Sequence, residues 1–118
     1  VNPLIKTYIS EGVNSQYLIA KQGTDDNQAA KSDAAAATGL GVVCQPGDVA
    51  DEERIDITMM GEAEVLCAGA IAAGRSFTSD ANGKAVLAST GERAIGIVRE
   101  TGAAARIVPC VVCPHTAA

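Results

Sequence analysis

Residues 54–67 read Arg54-Ile55-Asp56-Ile57-Thr58-Met59-Met60-Gly61-Glu62-Ala63-Glu64-Val65-Leu66-Cys67. Ile55, Ile57 and Met59 share one face, and Arg54, Asp56 and Thr58 the other. That is the period-2 alternation of a half-buried strand. The alternation resumes at Glu62, with Ala63, Val65 and Cys67 opposite Glu62, Glu64 and Leu66. Two strands are expected here, with Gly61 between them at a tight reversal or a bulge.

The same reading extends in both directions. Upstream, Tyr17 to Lys21 is a short strand ended by Gly23-Thr24-Asp25-Asp26-Asn27, and Leu40 to Cys44 is another, closed by Pro46-Gly47-Asp48. Between them Asp33 is placed to cap one helical turn over Ala34 to Ala37, and Gly39 stops it growing. Downstream, Asn82-Gly83 suits the centre of a type I′ hairpin turn, because both residues tolerate positive φ. Ala94 to Arg99 and Ala105 to Cys113 complete the set, and Pro109 assigns the last strand to an edge or a bulge. Short strands with Gly-rich turns predict an all-β domain, a small sandwich or barrel with at most one or two helical turns. Residues 1–14 read as an N-terminal arm and 15–118 as the single β-rich domain. Asn2-Pro3 and Ser10-Glu11-Gly12 interrupt the arm, yet Leu4, Ile5, Tyr8 and Ile9 are apolar. Such a segment packs on its own body as a first edge strand or binds a neighbour.

Composition narrows the function classes. The 118 residues hold 22 Ala and only 5 Leu, and the aromatics are Tyr8, Tyr17 and Phe77. Small side chains bury little area each, so a core made from them is thin and neighbouring subunits are expected to complete it. The net charge of −5 and the absence of a basic cluster argue against nucleic acid as a partner. No stretch is apolar enough for a membrane-spanning helix, and no basic amphipathic helix marks a membrane surface. The start at Val1 lacks the regions of a signal peptide and reads as an intact cytosolic product. Cys44, Cys67, Cys110 and Cys113 accordingly read as reduced, buried thiols.

Cys110-Val111-Val112-Cys113 with His115 is the one arrangement with the residue types for zinc or thiol redox chemistry. In an extended strand, residues three apart point to opposite faces, so the two thiols diverge. His115, the only histidine, reads as part of a surface tail. Gly39-Leu40-Gly41 lacks the third Gly and the Gly-Lys-Ser/Thr ending of a phosphate loop. The acids from Asp48 to Glu53 lack calcium-loop spacing. No catalytic set, cofactor site or metal site is expected, and no small-molecule substrate.

Taken in order, several stretches form a pattern: Asn2-Pro3-Leu4-Ile5-Lys6-Thr7-Tyr8, Arg54-Ile55-Asp56-Ile57 with Gly61-Glu62-Ala63-Glu64-Val65, and Ala73-Gly74-Arg75 through Asp80-Ala81-Asn82-Gly83-Lys84-Ala85. Ala94-Ile95-Gly96-Ile97-Val98 and Ile107-Val108-Pro109 complete it. This pattern resembles a family of small tailed-phage and prophage capsid (head) decoration proteins, akin to lambda-type head decoration proteins. Members have at times been labelled RecA/RadA-like recombinases, a label the missing phosphate loop does not support here. The resemblance implies a compact β fold and a homotrimer on the outside of the virion shell, made in the host cytoplasm. It implies the major capsid protein as partner and no enzymatic activity. It also implies a shell-binding arm, here Val1, Asn2, Pro3, Leu4, Ile5, Lys6, Thr7 and Tyr8. The chain departs from the family in its number of Cys and in Arg75, where an acidic residue often follows the Gly. Two rival readings stand beside it: a small metal-binding or thiol-redox module using Cys110, Cys113 and His115, and another structural virion component of a tail or fibre.

Overall fold

A computed structural model describes residues 4–33 and 39–117, all of them strand, turn or loop. The strands are β1 (Leu4–Glu11), β2 (Asn14–Ser15), β3 (Ile19–Gln22), β4 (Gln28–Lys31), β5 (Gly39–Val43) and β6 (Asp48–Val49). They continue as β7 (Arg54–Leu66), β8 (Ser76–Ser79), β9 (Ala85–Leu87), β10 (Arg93–Val98) and β11 (Ile107–Thr116). The helical turn expected over Ala34–Ala37 lies outside the described residues, as do Val1, Asn2 and Pro3.

The all-β expectation holds, and the topology explains how so short a chain closes on itself. Strands run β1-β4-β3-β5-β7-β11-β10-β8-β9, and β1 also pairs β7. The β1–β7 pairing closes β1, β4, β3, β5 and β7 into a five-stranded barrel. All its pairings are antiparallel except β1 with β4. From β7 the sheet continues outward through β11, β10, β8 and β9. Residues 54–66 are therefore not two strands with a reversal; the bulge alternative is the nearer, since the β1–β7 register shifts between Leu4 (opposite Met60) and Ile5 (opposite Thr58). They form one long strand, and Gly61 (φ +102) is a kink within it. Before Gly61 the strand belongs to the barrel; from Gly61 it pairs with β11. An L side chain is strained at that φ, which is why glycine occupies the kink.

Two cores result. Tyr8, Ala20, Ala29, Val43, Ile55 and Ile57, drawn from all five barrel strands, fill the barrel. A larger core gathers Ile19, Val42, Val65, Phe77, Val98 and Val108 with their neighbours under the second half of the sheet. Successive residues serve different cores: Ile19 and Val42 point into one, Ala20 and Val43 into the other. At Ile19–Ala20 and Val42–Val43, β3 and β5 thus form a wall buried on both faces.

Three local expectations change. Residues 4–11, within the expected arm, take the first-strand alternative of that reading and form β1, with Tyr8 only 7% exposed. The hairpin falls at the expected place, but Asn82 does not adopt positive φ; only Gly83 does (φ +77). The Asp80 carboxylate accepts the Asn82 and Lys84 N–H groups (2.8 and 2.9 Å), and the Gly83 N–H reaches the Asp80 carbonyl. That carboxylate favours a three-residue loop ending in a left-handed Gly over the two-residue turn. β11 is not an edge strand, since it lies between β7 and β10. Pro109 is tolerated because its carbonyl side faces the end of β10, where it accepts the Arg99 N–H (2.9 Å).

Candidate functional site

Among the described residues, the first half of β1 is paired on one side only. The Ile9 N–H donates to the Asn27 carbonyl (2.8 Å), toward β4, and the Ser10 N–H donates to the Glu53 carbonyl (2.7 Å), toward β7. Backbone groups alternate sides along a strand, so those of Ile5 and Thr7 turn away from β7 as Ile9 does. β4 pairs only with Ile9 to Glu11, and among the described residues no strand covers Leu4–Tyr8 on that side. Leu4 (55% exposed) stands opposite Met60 (54%), next to Ile5 (48%). Of the arm residues expected to bind, Leu4 to Tyr8 therefore present an open, apolar strand edge. Tyr8 itself packs inward under the Lys6 ammonium (5.4 Å from the ring centre).

Ile5 also lines a groove of about 540 Å³ between the barrel and the outer sheet. Ala63, Pro109 and Cys110 form apolar parts of its wall, with Cys110 itself fully buried in the larger core behind it. Tyr17 lines it too, in a left-handed backbone conformation (φ +74) uncommon for a bulky residue. Two backbone bonds hold it there: its N–H to the Val43 carbonyl (3.1 Å), and the Leu66 N–H to its carbonyl (3.0 Å). This geometry moves the start of β3 two residues beyond the expected strand start. Glu62, Glu64 and Arg99 supply the groove's charge, and Glu62 and Arg99 form an ion pair. No local motif joins these residues; Ile5, Tyr17, Glu62 to Glu64, Arg99 and Pro109 with Cys110 come from five separated parts of the chain. The one sequence signal was that Tyr17 is among only three aromatics.

The Cys110-x-x-Cys113 thiols diverge as expected. Cys110 is buried in the larger core, while Cys113 is half-buried and donates to the Val111 carbonyl. Burial pushes the Cys110 thiol up to about 12, helped by Cys67, Cys113 and the Glu64 carboxylate. Burial also raises the Cys67 thiol. All four cysteines are free, Cys67 and Cys110 buried and Cys44 and Cys113 half-buried. Among the described residues, no three His, Cys, Asp or Glu side chains gather as a metal site.

His115 is not in a loose tail. It sits in β11 opposite Ala94, with Nδ1 2.6 Å from the Cys113 carbonyl and Nε2 2.8 Å from Ser76 Oγ. A carbonyl only accepts, so Nδ1 carries the proton and Nε2 accepts from the Ser76 hydroxyl. The pair ties β8 to β11 across β10.

No family model matches the chain, and no curated protein matches it. Solved structures do. The fold is similar to that of a phage head fiber base. The match is the head fiber gp8.5 N base of bacteriophage phi29, with a TM-score of 0.72 over 95% of each chain at 15% identity. At that identity the likeness is one of fold, and it covers the barrel and the outer sheet together.

Proposed function

We propose that the protein is a structural component of a phage head, a decoration (cement) protein that binds the outer capsid surface as a trimer and braces the shell. The observation that carries this reading is the end-to-end fold likeness to a phage head fiber base. The open edge of β1 supports it from the side of chemistry. Unpaired N–H and C=O groups at Ile5 and Thr7 accept an added strand with little demand on side-chain identity, and Leu4, Ile5 and Met60 supply apolar contact. Repetition of a modest contact over a symmetric shell produces firm attachment through avidity. Acidic net charge keeps the free protein soluble.

Co-sedimentation with purified shells, together with native mass spectrometry, tests the reading. Trimers and shell-bound copies are expected. Leu4→Asp with Ile5→Asp should abolish attachment while leaving the fold intact; a monomer that ignores shells overturns the proposal. Truncation through Tyr8 is the poorer test, because Tyr8 belongs to the barrel core. The fold likeness also favours a second reading, in which the domain is the base of a fibre. Negative-stain images of decorated shells separate the two: a projecting rod identifies a fibre base, a flush density a cement protein.

A further inference from the structure

The groove beside β1 combines three features: an apolar wall, an aromatic ring, and a carboxylate without an ion partner. Ile5, Ala63 and Pro109 supply the wall. Tyr17 contributes the ring, and no hydrogen bond engages its hydroxyl among the described residues. Its left-handed backbone is strain of the kind that persists where surrounding structure holds a binding residue in place. Of the two groove carboxylates, Glu62 is neutralised by Arg99, whereas Glu64 has no ion pair among the described residues. Glu64 nonetheless lies close enough to the groove floor to act electrostatically on Cys110.

A neutral apolar occupant leaves that carboxylate unanswered, and an anionic one is repelled by it. A long apolar stem ending in a cation satisfies all three features. We propose that the groove receives a lysine or arginine side chain presented by the protein surface on which this chain docks. The methylenes pack on Ile5, Ala63 and Pro109, while the charged head meets Glu64 and the Tyr17 ring. Charge complementarity selects this occupant, and the molecule already places the Lys6 ammonium over the Tyr8 ring. The inference rests on the docking reading above and adds the partner chemistry.

The test is a titration of the full chain, followed by amide NMR, with N-acetyl-lysine N′-methylamide and with its norleucine counterpart. The lysine probe should shift amides around Tyr17, Glu64 and Pro109 saturably at millimolar concentration, and more strongly at low salt. Norleucine should bind more weakly. Glu64→Gln, an exposed change, should weaken the lysine probe about two- to fivefold and leave norleucine unaltered. Equal binding of both probes overturns the proposal, as does no saturable shift with lysine. Shifts of the same amides on concentrating the protein alone also overturn it, because the occupant is then a second copy. Shell co-sedimentation separates this from the docking reading. If shells fail to bind but the lysine probe behaves as described, docking falls and the groove's preference stands.

Discussion

Gly61 and Cys110 show how much a single position carries. At φ +102, Gly61 lets one strand serve two halves of the sheet. Gly61→Ala should cost about 1–3 kcal/mol, read from urea unfolding, because the kink forces the added side chain into a strained region. Cys110 sets a limit on alkaline stability. Its folded value of about 12 lies above the ordinary 9.0, chiefly through burial, so the native state favours the neutral thiol. That contribution is complete below pH 9 and is lost as pH rises through 12. Unfolding midpoints should therefore fall across that window, with a shallower fall in Cys110→Ala. Ser76→Ala removes the hydroxyl that holds His115 and should cost about 1 kcal/mol.

At the scale of the element, β1 is two things at once. Tyr8 and the pairing with β7 make it part of the barrel, while Ile5 and Thr7 leave an edge unpaired. Amide hydrogen exchange should display this alternation directly, with Lys6 and Tyr8 slow and Ile5 and Thr7 fast. Equal protection along the strand would mean that the edge is covered. Substitutions should divide in the same way. Tyr8→Ala should cost about 3–5 kcal/mol through its core cavity, and Leu4→Asp only about 0.5 kcal/mol. Most strands were legible because apolar and polar residues alternate along them. β4 was not: Gln28–Lys31 lies in a polar stretch, and only Ala29 reaches the barrel core. His115 was misread for a related reason, since its partner Ser76 lies 39 residues away.

At the scale of the molecule, β7 runs through both cores, so the barrel and the outer sheet should unfold together. Thiol reactivity measures this. Cys44 and Cys113 are half-buried and should react with a thiol reagent in the native protein; Cys67 and Cys110 should react only at the rate of global unfolding. Early reaction of Cys67 or Cys110 would show that the outer sheet opens by itself. The thin core inferred from abundant Ala is also a whole-molecule matter. Among the described residues the structure divides that core into two main clusters and a small one of Ala88, Ala94 and Ala117, with the groove running beside the larger.

By itself the sequence determined the all-β class, most of the strands, the position of the hairpin and the divergence of the C-terminal thiols. Each depends on period-2 alternation or turn chemistry within a few residues. Only the tertiary structure decided that residues 54–66 are one strand, that β1 closes a barrel, and that Tyr17, Glu64, Arg99 and Pro109 share a groove. Those facts depend on pairings between distant segments. Alternation states which face of a strand is buried, but not which strand lies beside it.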